Sequence, residues 1–309
     1  MHQETITMQL AIIGLGKMGA NMARRLCRGG IEVIGYNRSN EITRQLVKEE
    51  GMKAADSLTD AVQQLATPRL VWLMLPSGDP TENTLNDLLK LLEPGDVVID
   101  GGNSNYHDSQ RRGQLLQQHD MGFIDAGTSG GVWGLENGYC LMVGGEAQHV
   151  KRLEPALKVL APAADHGWAH VGPVGAGHFS KMIHNGIEYG MMQAYAEGFA
   201  LLKGKSEFNL DLAQISELWR HGSVVQSWLL DLMAGFLDKD QQLDAIKPYV
   251  ADSGEGRWTV DEATAQGTPA PVLALALHMR FASQDSNGYG NKLLAMMRNS
   301  FGGHAVKDK

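Results

Sequence analysis

Short apolar runs alternate with amphipathic stretches through the first half of the chain. The runs at 10–14, 32–36, 70–75, 97–100 and 123–125 are mostly aliphatic or β-branched and are bounded by glycine, proline or polar residues. That is the pattern of strands buried on both faces. Between them, 18–28, 40–49, 58–65, 81–92 and 109–118 carry the three-to-four-residue apolar spacing of helices packed on one side. Strand and helix in alternation, joined by right-handed crossovers, predict a doubly wound parallel sheet.

The pattern changes at Gly172-Pro-Val-Gly-Ala-Gly177, a stretch that breaks any regular element. Beyond it the strand runs stop. Helical segments are expected over about 178–203, 211–221, 225–237, a piece around Glu262, 272–283 and 290–300, with no repeat of solenoid period. The expected architecture is an α/β Rossmann-type doubly wound domain over 1–174, followed by an all-α domain over 175–309.

Composition narrows the class. With 43% apolar and 20% charged residues, the chain is globular rather than disordered. Its 27 basic and 35 acidic residues leave a net charge of −8, which excludes a basic nucleic-acid footprint on the whole-chain scale. An anionic small molecule stays open if a few cations gather in one cleft. Cys27 and Cys140 are too far apart for a CxxC motif and too few for a disulfide scaffold, which points to a reducing compartment. Residues 1–8 show no basic-then-apolar leader, and runs such as 272–277 are too short to cross a bilayer. A cytoplasmic protein is expected. The 37 glycines follow no collagen period, so many should sit where the backbone turns sharply or approaches something closely.

One such place is Gly14-Leu15-Gly16-Lys17-Met18-Gly19, between a strand and a helix. In this context GxGxxG allows a tight turn, a close pyrophosphate and close helix packing, and the helix start offers free N–H groups. Gly14, Leu15, Gly16, Met18 and Gly19 are the candidate cofactor contacts; a glycine-rich turn without ligand is the alternative. The second strand ends in Tyr36-Asn37-Arg38-Ser39, with no carboxylate for a ribose 2′-hydroxyl. Asn37 and Ser39 can donate to a 2′-phosphate, and Arg38 can pair with it. NADP is favoured and NAD is retained; Arg38 as a plain solvated turn residue stays open.

Two more glycine clusters fall where strands should end, Asp100-Gly-Gly-Asn103-Ser104 and Thr128-Ser129-Gly130-Gly131. In open α/β sheets that edge binds ligands. Further on, Lys181, His184, Asn185 and Glu188 are offset by 0, 3, 4 and 7 positions and share one helix face. The face is either merely solvated or a base and an acid for carbonyl chemistry. His178 and His184 are six apart, with no H-x-x-x-H or Cys partner, so no metal is expected. Without a G-x-S-x-G elbow, a serine hydrolase is also unsupported.

These residues carry a resemblance that spacing alone does not supply. Asp100-Gly-Gly-Asn-Ser104, Ser129-Gly-Gly131 and Gly177-His-Phe-Ser-Lys-Met-Ile-His-Asn-Gly-Ile-Glu-Tyr-Gly190 resemble the 6-phosphogluconate dehydrogenases, decarboxylating enzymes of the β-hydroxyacid dehydrogenase superfamily. The resemblance covers nearly the whole chain and is most specific in the last run. It implies oxidative decarboxylation of 6-phospho-D-gluconate to D-ribulose 5-phosphate and CO₂ with reduction of NADP, a pentose phosphate pathway reaction that needs no metal. By matching position it implies that Lys181 is the general base and Glu188 the general acid. Asn103, Ser129, Gly130, Gly131, His184, Asn185 and Tyr189 would hold the sugar acid, with Asn103 also near the nicotinamide. Leu75 and Pro76 loosely match a cofactor-lining turn.

The resemblance further implies that Arg280, Arg298 and His304 recognise the phosphate. Arg298-Asn-Ser-Phe-Gly-Gly-His304 is similar to a family tail that enters the neighbouring subunit's active site, implying a homo-oligomer, dimer or tetramer. Two departures stand out. Ser253 and Glu255 occupy places where the family has a lysine and a threonine touching substrate, and the chain is much shorter than the common form. The alternatives are another β-hydroxyacid dehydrogenase of the 3-hydroxyisobutyrate type, or a non-catalytic NADP-binding protein.

Overall fold

The computed structural model describes residues 8–302 and 304–307, so the reading of a missing leader falls mostly outside them. The first strand, β1 (Gln9–Ile13), shows how the sheet is covered. Leu10 and Ile12 enter one buried cluster, Ala11 and Ile13 another. A strand that is apolar on both sides requires helices over both faces.

The elements that follow supply them: α1 (Lys17–Arg28), β2 (Glu32–Tyr36), α2 (Asn40–Glu50), β3 (Lys53–Ala54), α3 (Leu58–Gln63), β4 (Leu70–Leu73), α4 (Asp79–Leu88), β5 (Val97–Asp100), α5 (Tyr106–Gln117) and β6 (Gly122–Ser129). A 3-10 turn (Gly131–Trp133) and the one-turn α6 (Gly134–Asn137) lead into β7 (Cys140–Gly145), α7 (Ala147–Leu160) and β8 (Trp168–Gly172). Helix α1 buries Gly19, Met22, Ala23 and Leu26, a helical stripe, in the same cluster as Leu153 and Leu157 of α7 for all but the glycine. Ala61 and Val62 of α3, Leu85 and Leu88 of α4 and Leu116 of α5 fill the other cluster.

The strand order is β3-β2-β1-β4-β5-β6-β7-β8. The winding reverses between β1 and β4, the place where such sheets open a crevice at their carboxyl ends. All pairings are parallel except β6 with β7. The doubly wound α/β expectation therefore holds, with one antiparallel pair added to it. Strands β3, β7 and β8 were not foreseen: β3 has two residues, β7 ends in two glycines, and β8 mixes Trp and His with small residues. Strands β3 and β8 lack the aliphatic run that marks a buried strand, and that of β7 is only Leu141 to Val143 before its glycines. Helix α7 carries Pro155 in its interior, which masks its pattern.

The chain divides into two compact units between His184 and Asn185, ten residues beyond the expected boundary. The first two turns of α8 (Ala176–Gly204) thus belong with the sheet. The second unit is helical throughout: the rest of α8, a 3-10 turn (Ser206–Phe208), α9 (Leu212–Trp219), α10 (Trp228–Leu237), α11 (Glu255–Gln266), α12 (Pro271–Gln284) and α13 (Tyr289–Gly302). Asp211 and Ser227 cap α9 and α10 by accepting from Gln214 and Leu230 amides. Phe199, Leu212 and Leu237 form one small core, and Tyr189, Ala276 and Leu277 another. Among the described residues no helix is long and apolar enough to cross a membrane.

Candidate active site

The glycine turn after β1 is built to leave one side open. Gly14 has φ +99°, and a β-carbon there would sit 2.5 Å from the Met74 carbonyl oxygen, so only glycine fits. Its N–H donates to the Tyr36 carbonyl at 2.9 Å, tying the turn to the end of β2. At Gly16, the residue preceding α1, a β-carbon would meet nothing within 4 Å, and no side chain caps the helix. The N–H groups of the first turn therefore face open space, a cradle that fits a pyrophosphate. Leu15 is buried and Met18 half-buried beside it.

The tip of β2 is tied to the glycine turn by Asn37. Asn37 Oδ1 accepts from the Leu15 amide at 3.0 Å, while its Nδ2 donates to the Ser39 carbonyl at 3.1 Å. Asn37 thus braces the glycine turn and keeps one amide N–H for a ligand. Arg38 is exposed and makes no ion pair among the described residues, and the Ser39 hydroxyl does not cap α2. Past β4, Leu75 is half-buried and Pro76 exposed, with Thr81 Oγ1 donating to the Pro76 carbonyl at 2.8 Å.

The loop after β5 is held from beneath by charge. Arg112 of α5, fully buried, donates through Nη1 to Asp100 Oδ2 at 2.7 Å and to Ser104 Oγ at 2.9 Å. Its Nε donates to Glu82 Oε1 of α4 at 2.8 Å. Asp100 also accepts from the Gly102 amide at 3.1 Å and the Ser104 hydroxyl at 2.7 Å. Between buried Gly102 and Ser104, Asn103 is left exposed. Burial pushes the Glu82 carboxyl up, but Arg111 and Arg112 outweigh it and leave the group below its ordinary value.

At the end of β6, Ser129 and Gly130 are partly buried and Gly131 exposed. His184 Nε2 lies 3.4 Å from Ser129 Oγ. Lys181 is only 7% exposed, because its first side-chain carbons rest on Gly127 of β6. Helix α8 runs unbroken from Ala176 to Gly204, so Lys181, His184, Asn185 and Glu188 do share a face. Of the apolar residues between them on α8, Met182 is buried and Ile187 is half-exposed.

Within the second unit, Tyr189 is buried and Arg280 stacks its guanidinium 3.4 Å from the ring centroid. Arg280 also donates to the Ala251 carbonyl at 2.8 Å. The Tyr189 hydroxyl accepts from the Ser253 amide at 3.2 Å, so the residue that departs from the family pattern supports Tyr189. The Arg257 guanidinium holds the Asp252 carboxyl below the usual carboxylate range. Glu255, the other departure, is 2% exposed at the start of α11. Asn185 and Glu188 are half-buried. Arg298 lies exposed on α13 and His304 exposed beyond it, its carbonyl accepting from Asn299 Nδ2 at 2.9 Å. The supports not foreseen from the sequence are Arg112, Asp125 and Gly127. Of these only the glycine in a strand carried a local signal.

Comparison with known proteins agrees along the whole chain. Residues 9–172 match the NAD binding domain of 6-phosphogluconate dehydrogenase, and residues 177–291 match the C-terminal domain of the same enzyme. The chain is 40% identical to YqeC of Bacillus subtilis, a candidate 6-phosphogluconate dehydrogenase, over 98% of this chain and 100% of that one. It is 39% identical to an NAD(+)-dependent, decarboxylating 6-phosphogluconate dehydrogenase of Haloferax volcanii, over 98% and 99%. Among solved structures, the 6-phosphogluconate dehydrogenase of Plasmodium falciparum superposes with a TM-score of 0.83 at 28% identity. That match covers 97% of this chain and 66% of the longer one.

Proposed function

The chain belongs to the 6-phosphogluconate dehydrogenase family, and from that premise we propose that it oxidises and decarboxylates 6-phospho-D-gluconate to D-ribulose 5-phosphate and CO₂. The observation that carries the reading is the placement of Lys181 on α8, seated against Gly127 and one turn before His184 at Ser129.

A bound nicotinamide dinucleotide supplies the hydride acceptor. The open turn at Gly14 to Gly19 would hold its pyrophosphate, and Arg38, Ser39 and the remaining Asn37 N–H would be the donors for its ribose. Lys181 Nζ takes the proton of the substrate's C3 hydroxyl as hydride leaves C3, which gives a 3-keto acid. The protonated Nζ then stands by the C3 oxygen. It stabilises the negative charge that collects there when the C1–C2 bond breaks and CO₂ departs. Glu188 protonates C2 of the resulting enediol, which becomes C1 of ribulose 5-phosphate. Asn103, Ser129, Gly130, Gly131, His184 and Asn185 hold the sugar acid by hydrogen bonds, and Tyr189 with Arg280 meets its phosphate.

Arg298 and His304, exposed in the single chain, complete the phosphate pocket of a neighbouring subunit in a homo-oligomer. NADP is the preferred acceptor in this reading, on the strength of the exposed Arg38, which makes no ion pair among the described residues. Two unpaired cysteines, Cys27 and Cys140, fit a cytoplasmic setting. The test is turnover of 6-phosphogluconate with NADP and with NAD, followed by NAD(P)H absorbance and CO₂ release. Protein that oxidises another β-hydroxyacid but not 6-phosphogluconate overturns the reading.

A further inference from the structure

We infer that His178 is a positioning residue for Lys181: a buried hydrogen bond between Ser109 of α5 and His178 of α8 sets where the lysine stands. The inference rests on the proposed role of Lys181 as base.

His178 lies in the first turn of α8, three residues before Lys181, so a shift of one moves the other. It is 1% exposed. Two grips hold this turn. On the sheet side, the carboxylate of buried Asp125 in β6 accepts the Gly175 amide at 2.7 Å and the His178 amide at 2.8 Å. Those are the orphan donors of a helix start, capped by a charge that favours the helix dipole. On the other side, His178 Nδ1 lies 2.7 Å from Ser109 Oγ, itself fully buried.

The environment selects the tautomer. His178 Nε2 is buried and has no hydrogen-bond partner among the described residues. A proton there would be an unpaired buried donor, the more costly of the two choices. The proton therefore sits on Nδ1 and is donated to Ser109 Oγ. That hydroxyl is in turn free to donate to the Asn105 carbonyl, 3.4 Å away. Asn105 caps α5 and stands two residues past Asn103. One short chain of hydrogen bonds thus ties the loop carrying Asn103 to the helix carrying Lys181. Nothing in the proposed chemistry uses His178 directly; its effect is on the distance the proton must travel.

The experiment compares Ser109→Ala, His178→Leu, the double variant and His178→Asn, whose amide nitrogen can stand in for Nδ1–H. Each single variant should lose about tenfold to a hundredfold in kcat, the scale on which small misplacements act. KM for 6-phosphogluconate and cofactor should stay within about twofold. The double variant should be no worse than the poorer single one, and His178→Asn should recover most of the loss. A deuterium isotope effect from 3-deuterated substrate should rise in the impaired variants, which a loss of fold stability alone would not produce. Ser109→Ala removes one oxygen and keeps the test open if His178→Leu does not fold. Parental kcat in Ser109→Ala, or no recovery in His178→Asn, overturns the inference while Lys181→Met stays inactive. Full turnover in Lys181→Met overturns the proposed function instead.

Discussion

The side chain of Lys181 occupies the space that any residue larger than glycine would need at position 127. A β-carbon on Gly127 would overlap that of Lys181, 3.1 Å from Lys181 Cγ and 2.9 Å from the Gly177 carbonyl oxygen. Since backbone as well as side chain lies in the way, α8 and β6 must separate to admit a methyl group. Gly127→Ala is therefore expected to cost about 1–3 kcal/mol of stability through overpacking. It should also lower kcat by about a hundredfold through displacement of the proposed base. Thermal unfolding and steady-state kinetics check the two effects. A stable variant with parental kcat would show that the seat does not matter to turnover.

The loop bearing Asn103 depends on a buried pair in the same direct way. Arg112 and Asp100 are both out of water, and Arg112 Nη2 faces Glu82 Oε1 at 2.6 Å without the alignment of a hydrogen bond. Arg112→Met strands the Asp100 charge in the interior and is expected to cost about 3–5 kcal/mol. Urea unfolding measures it. Combining the change with Asp100→Leu should return part of the loss, because the stranded charge is then gone.

Glu82 adds a pH dependence. Its carboxyl is drawn below the ordinary 4.5 by Arg111 and Arg112 against an opposing effect of burial. A group depressed in the folded state stabilises it above the unfolded value, and that gain is lost as pH falls through the folded value. The stability difference between the parent and Glu82→Gln should accordingly be full at neutral pH and shrink in acid below the ordinary value. Urea midpoints across that range test it; a difference that grew on acidification would contradict the sign.

These supports explain what could be read from the residues and what could not. The glycine turn, the alternation of strands and helices and the Lys181 to Glu188 face are local patterns, written within a few residues of one another. Arg112, Asp125 and Ser253 act across 12, 50 and 64 positions, on Asp100, Gly175 and Tyr189. No periodicity announces such pairings. Strand β7 was hidden for a related reason, since its place beside β6 comes from the register Ser129 with Cys140 rather than from its own composition.

The exposed tail offers a test by mixing. If Arg298 and His304 serve a neighbour, Arg298→Ala should raise KM for 6-phosphogluconate by about tenfold or more through loss of a charge-assisted contact. Lys181→Met should be inactive. Hybrids of the two carry some sites with an intact Lys181 and the other chain's intact Arg298. Activity at low substrate should therefore exceed the sum of the separate variants. Strict additivity would place the tail in its own subunit's site or in none.

The proposed preference for NADP rests on the division of labour at the tip of β2. Asn37 is engaged with the backbone of Leu15 and Ser39, whereas Arg38 is exposed and without an ion pair among the described residues. Replacing Arg38 by Ala should remove the group that reads a 2′-phosphate. A charge-assisted hydrogen bond contributes about 1.5–3 kcal/mol, so kcat/KM for NADP should fall about tenfold to a hundredfold. The value for NAD should stay within about twofold, because NAD has no phosphate there to lose. Asn37→Ala should behave differently: releasing the Leu15 amide loosens the pyrophosphate turn that both cofactors share, and both values should drop together. Measuring both cofactors on both variants separates the two roles. Equal losses for NADP and NAD in Arg38→Ala would mean that Arg38 does not read the phosphate.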